Sequence, residues 1–189
     1  MTALLIGLLG FLAVHSIRIV GPDWREARIA AMGELGWKAV YSLLSIAFFV
    51  LLVWGYGQAR QETQLLWLPP MALRHVGSLL VAIAFVLIVA AYIPRNAIRA
   101  KLGHPMILGI KTWALAHLLM SGWLHAVILF AAFLLWAILD FRSARRRPKA
   151  PPGPTSMPMT VLTVLLGLGL TAAFALYLHG PLIGVAPFG

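Results

Sequence analysis

Four stretches of this 189-residue chain, 3–20, 39–56, 73–93 and 161–179, are apolar over lengths that match the core of a lipid bilayer. A helix needs about 20 apolar residues to cross roughly 30 Å of hydrocarbon. A fifth stretch, 106–141, is too long for one crossing, and Ser121-Gly122 near its middle is a turn signal. It divides into 106–120, which is short, and 123–141. The composition agrees: 61% of residues are hydrophobic and 11% charged, against about 25% charged in an ordinary soluble domain. A soluble fold of this size keeps much of its surface in water and has no place for so much apolar side chain. The chain therefore reads as all-α, a polytopic integral membrane helical bundle of about six membrane segments.

The net charge of +10 has to be read by position. Lys and Arg favour the cytoplasmic side of short loops. With the N-terminus outside, the inward connections carry Arg18, Arg25, Arg28 and Lys38, then Arg95, Arg99, Lys101 and Lys111, then Arg142, Arg145, Arg146, Arg147 and Lys149, leaving only Arg60 and Arg74 outside. This assigns the basic residues to membrane topology and excludes a nucleic-acid partner. The expected partner is the bilayer, with both termini outside. A single crossing through 106–141 would put the Arg145–Arg147 cluster on the wrong side. The first ten residues carry no basic group, so the first apolar run is expected to be a retained helix and not a cleaved signal. The organisation read from the sequence is a membrane domain over 1–147, a basic, Pro-rich linker over 148–158 and a last membrane helix with its tail over 159–189.

Polar residues inside the hydrocarbon are the candidates for chemistry, because placing them there is costly. Cysteine is absent, which excludes thiolate metal sites and cysteine nucleophiles. The five acidic residues, Asp23, Glu26, Glu34, Glu62 and Asp140, are expected in loops or at helix ends. Six histidines remain. His117 lies well inside the short fifth segment, and His15 lies in the first, with Arg18 about one helical turn further on. His104 precedes Pro105 at a segment start, where Pro suits the first helical turn. His75, His125 and His179 are expected near helix ends, close to water. Most of the seven Trp residues are interfacial by position. Trp113 is the deepest, and serves packing or a cofactor wall equally well.

A lone imidazole in a membrane helix can bond a neighbouring helix or ligate a metal. Two neutral imidazoles from different helices, without Cys and with few carboxylates, suit a haem iron held from both sides. Zinc would ask for further ligands. Arg18 could meet a haem propionate or simply snorkel to the interface. The residues alone leave these alternatives open.

Four blocks carry a resemblance: His15-Ser-Ile-Arg18; Trp37-Lys-Ala-Val-Tyr41-Ser42-Leu-Leu-Ser45; Leu66-Trp67-Leu-Pro69-Pro70; and His104-Pro105-Met-Ile-Leu-Gly109-Ile-Lys111-Thr-Trp113-Ala-Leu-Ala-His117. Together they resemble the NnrU family of bacterial membrane proteins, over about residues 1–147. The resemblance implies a multi-pass protein of the bacterial inner membrane with a periplasmic N-terminus, linked to nitrogen-oxide metabolism in denitrification. It also implies a redox partner or nitrogen-oxide reductase that the protein serves. The same family includes 15-cis-zeta-carotene isomerase, a membrane enzyme using haem b. By similarity to it, the axial ligands are expected at His15 and His117; Arg18, His104 and Trp113 are candidates for the cofactor's surroundings on the residue reading given above. Two alternatives follow: haem-dependent isomerisation of a lipophilic polyene, or a non-catalytic role in assembling a reductase. The isomerase has a Cys three residues before its second ligand, where this chain has Ala114. Its ligand switch therefore has no counterpart here. Where the family usually continues to Asn-Gly, this chain has Ser121-Gly122. The His104-Pro-x-x-x-Gly109 signature is also similar to isoprenylcysteine-type membrane methyltransferases, but the Arg145–Pro154 stretch lacks the carboxylates those enzymes carry there.

Overall fold

A computed structural model describes residues 1–62, 64–148 and 153–187. Among the described residues the chain is helical, with no strand beyond one isolated bridge between Leu65 and Trp123. Five helices are long and apolar enough to cross a membrane. The chain divides into two compact units, Met1–Gln64 and Leu65–Gly189.

The N-terminal unit is an antiparallel pair, α1 (Thr2–Val20) and α2 (Pro22–Ala59). Lipid offers no hydrophobic drive between helices, so close backbone approach has to supply the contact. Gly7 faces the Leu52 backbone and Gly55 faces Leu4 so closely that a Cβ on either would run into main chain. Leu4, Leu8 and Leu52 are buried along this seam. The sequence placed a connection where α2 begins. Instead helix starts at Pro22, because Pro is preorganised for a first turn and Asp23 complements the helix dipole there. Gly33, at φ 73° and ψ 161°, then breaks the helix and redirects it before the apolar run. That backbone lies in a region that only glycine adopts without strain. Asp23, Glu26 and Glu34 are consequently helical residues, and Glu34 pairs with Lys38 at 2.7 Å on an exposed face.

The C-terminal unit contains α3 (Met71–Tyr92), α4 (Ala97–Leu102), α5 (Pro105–Met120), α6 (Leu124–Arg146), α7 (Met157–Ala173) and α8 (His179–Ile183), with a π-helical turn at Phe174–Leu178 between the last two. α5 has 16 residues, about 24 Å at 1.5 Å per residue, less than a full crossing. It lies antiparallel against α3: Gly77 meets Met120, and Gly109 meets Ile88 and the Ala84 carbonyl. α7 joins the other side of α3 through Gly167 at Val86.

The expected turn at Ser121-Gly122 separates α5 from α6. It is covered by the extended Leu65–Trp67 segment: the Leu66 N–H donates to the Gly122 carbonyl at 2.8 Å. A Cβ at Gly122 would collide with the Trp67 carbonyl oxygen. Two sequence blocks that are far apart in the chain thus meet at one turn. His125, expected near water, is buried to 4% exposure just beyond it.

At the opposite end, Asn96 is 1% exposed. Its Oδ1 accepts from the Arg99 N–H at 2.7 Å, capping α4, and its Nδ2 donates to the Ala90 carbonyl at 2.9 Å. The Ser156 N–H donates to the Arg95 carbonyl at 2.7 Å, and the Ala97 N–H donates to Thr160 Oγ1 at 2.9 Å. These bonds fasten the α3–α4 connection to the start of α7. Of the linker expected over 148–158, residues 149–152 lie outside the described residues, as do 188–189 of the expected tail.

Candidate functional site

In the N-terminal unit, His15 stands one turn above Phe11 on α1. Its Nδ1 is 2.7 Å from the Phe11 carbonyl oxygen. A carbonyl only accepts, so in the neutral ring Nδ1 carries the proton and Nε2 presents its lone pair. The imidazole stacks on the Phe11 ring at 4.0 Å between centroids, 28° from parallel. Tyr41 of α2 meets it edge-on at 5.4 Å. An aromatic series continues along α2, with Tyr41 to Trp37 at 6.4 Å and Trp37 to Trp24 at 5.9 Å. Arg18 is exposed in the last turn of α1.

In the C-terminal unit, His117 repeats the same local arrangement. Its Nδ1 is 2.9 Å from the Trp113 carbonyl oxygen, four residues back on α5. Again Nε2 is the nitrogen left with a lone pair in the neutral form. The ring stacks on Phe130 of α6 at 4.4 Å and 25°, and lies 5.1 Å from Trp113. Trp113 meets Phe130 at 5.0 Å and Phe133 at 5.5 Å, both edge-to-face. Trp113 is therefore a wall beside His117, packed from the α6 side. Ala114, one turn before His117, is fully buried.

His104 sits at the N-cap of α5. Thirteen residues separate it from His117, about 20 Å along a helix. Its ring meets Phe141 at 6.3 Å, edge-on, so it does not share the Trp113–His117 cluster. His179 also approaches a carbonyl through Nδ1, that of Val185 at 2.7 Å, on an exposed segment. Parallel stacking against a phenyl ring is what sets His15 and His117 apart from it.

Two expectations change. Lys111, expected in a connection, lies in the second turn of α5, because that helix begins at Pro105 with the chain already inside the apolar run. Asp140, expected at a helix end, lies within α6 about two turns before its last residue, with Arg147 Nη2 at 3.8 Å. The sequence offered a signal for Phe11, which sits at i−4 from His15. It offered none for Phe130 or Phe133, which reach their places only through the packing of α6 on α5. No group of three or more His, Cys, Asp or Glu is arranged to hold a metal ion among the described residues.

The all-helical fold, its bilayer-length apolar helices and its imidazoles packed within them define a polytopic membrane protein. The family described as NnrU protein matches residues 3–187, through α7 and beyond it. The chain belongs to the NnrU family. No curated protein and no solved structure matches it.

Proposed function

We propose that this protein binds haem b, which the imidazoles of His15 and His117 would hold, in the service of nitrogen-oxide metabolism. The observation that carries this reading is the shared geometry of the two rings: Nδ1–H turned to the carbonyl four residues back, with a phenyl ring stacked alongside. Metal-bound histidines characteristically give their second N–H to such an acceptor, which holds the ring orientation and raises the basicity of the ligating nitrogen. The donor set also suits a porphyrin. Haem brings most of its own ligands and would ask the protein only for imidazoles, whereas a protein-only zinc site needs three or four side chains.

When bound, haem b supplies one-electron redox chemistry. The chain's own residues orient and shield. Phe11 and Phe130 limit rotation of the two imidazoles, and the Trp113, Phe130 and Phe133 rings exclude water around His117. Arg18, exposed near the end of α1, is a counter-charge for a carboxylate near the membrane surface. The polyene-isomerase reading has less support, because the buried Ala114 methyl replaces the thiol that the ligand switch of that enzyme uses.

The direct test is a pyridine haemochrome assay on full-length protein purified in detergent from haem-replete cells, together with its absorption spectrum. One haem b per chain and a low-spin, bis-imidazole spectrum are expected. Protein that carries no haem, and takes none up on titration with haemin, would discard this reading in favour of a non-catalytic assembly role.

A further inference from the structure

The two units differ in charge in a way the haem reading does not use. Residues 1–64 contain four of the five carboxylate side chains, beside Arg18, Arg25, Arg28, Lys38 and Arg60. Residues 65–189 contain ten Lys and Arg but a single carboxylate, Asp140. Cations of this unit have almost no anion of their own to pair with.

Their shortage is sharpest where α5 begins and α6 ends. Lys111 Nζ lies 6.0 Å from the centre of the Phe141 ring, and Arg145 Cζ lies 5.9 Å from the same ring. Arg147 extends Nη2 toward Asp140, but at 3.8 Å this is a loose ion pair and not a hydrogen bond. Its Nη1 is buried and has no hydrogen-bond acceptor among the described residues. A buried guanidinium N–H without an acceptor is costly. Lys111, in the second turn of an apolar helix, adds an ammonium where a charge is expensive to place. Cation–π contact with one phenyl ring offsets part of that cost. It does not neutralise either cation, and the one carboxylate side chain of this unit, Asp140, is engaged by Arg147. The His104 ring also meets Phe141, edge-on at 6.3 Å.

We infer that Lys111 and Arg145, which meet Phe141, and Arg147, beside the preceding Asp140, bind one anionic phosphoryl group. A phosphoryl group offers several acceptor oxygens and matches a guanidinium fork by bidentate bonding. Two sources carry that chemistry in a membrane, the headgroup of an anionic phospholipid and free phosphate. General attraction of basic residues to a charged leaflet is a different effect. It is spread over all exposed cations and does not single out Arg147 over Arg146.

The test uses the full chain in detergent, examined by native mass spectrometry after addition of phosphatidylglycerol or phosphatidylcholine, and by thermal unfolding with and without inorganic phosphate. Wild type should retain one phosphatidylglycerol under conditions that strip phosphatidylcholine. Arg147→Gln and Lys111→Gln should each cut the retained adduct by about tenfold, as expected for loss of one charge-assisted contact. Arg146→Gln, an exposed neighbour, should leave it unchanged. Arg147→Lys keeps the charge and guards against misfolding; it should retain only part of the adduct, because an ammonium lacks the fork. Stabilisation by inorganic phosphate without lipid selectivity, lost in the same variants, identifies the soluble source. Equal retention of both lipids with no response to phosphate overturns the site. So does an equal loss in the Arg146 and Arg147 variants.

Discussion

The surroundings of His15 and His117 differ in where their support comes from. Both rings turn Nδ1 to the carbonyl four residues back, and both stack on phenylalanine. At His15 the carbonyl and the stacked ring belong to the same residue, Phe11, on the same helix. One turn of α1 therefore supplies both the acceptor and the stacked ring, while α2 brings the edge of Tyr41 to the imidazole and Phe49 to Phe11 at 5.9 Å. At His117 the carbonyl belongs to Trp113 of α5, but the stacked ring is Phe130 of α6. That imidazole is positioned only once two helices have packed. One site is local and the other is tertiary, and the two should fail in different ways.

The largest expected effect is on the ligands themselves. His15→Ala and His117→Ala should each abolish the low-spin spectrum, leaving five-coordinate or haem-free protein. Retention of a full low-spin signal in both variants would remove the pair from consideration and leave only the contrast in packing. Loss in one variant alone would name a single ligand and call for a different partner.

A smaller effect separates the local site from the tertiary one. Phe130 is buried against Trp113 and His117 of α5, so Phe130→Ala removes contacts between two helices. In water such truncations cost about 3–5 kcal/mol. Here lipid tails can partly replace the lost contacts, and about 2 kcal/mol is expected. Phe11→Ala leaves the carbonyl in place, since that group belongs to the backbone, and loses the ring contacts with His15 and Phe49, for an expected cost of about 1 kcal/mol. Unfolding in mixed micelles, followed by near-ultraviolet circular dichroism, checks the order. Equal losses would mean that His15 depends on tertiary packing as much as His117 does.

The same contrast explains what could be read from the sequence. Helix spans followed from apolar length, and the Ser121-Gly122 turn from its residue types, because both are local properties. His15 and His117 stood out because an imidazole within an apolar run is conspicuous wherever the fold puts it. Phe130 and Phe133 did not, being two apolar residues among many on α6. Helix over 22–32 was hidden by its polar residues, which mask a helix that starts at Pro22 and ends at the Gly33 kink. Asn96 was equally invisible. Its value lies in three carbonyl and amide partners that the α3–α4 connection folds around it.

The smallest expected effect belongs to Arg18. It lies in the last turn of α1, on the helix that already builds the His15 site, and it is exposed. An exposed cation facing a carboxylate is worth about 1 kcal/mol or less, because water and salt screen it. Arg18→Ala should therefore leave the axial ligation and its low-spin spectrum intact. Haem should only dissociate faster, by about threefold, when transfer to an apoprotein acceptor is followed. The effect should shrink further at high ionic strength, since screening acts on exposed charges. A spectral change to five-coordinate haem in this variant would show that Arg18 shapes the His15 ring itself. The N-terminal site would then not be self-contained on α1, and its contrast with His117 would have to be redrawn around the end of that helix.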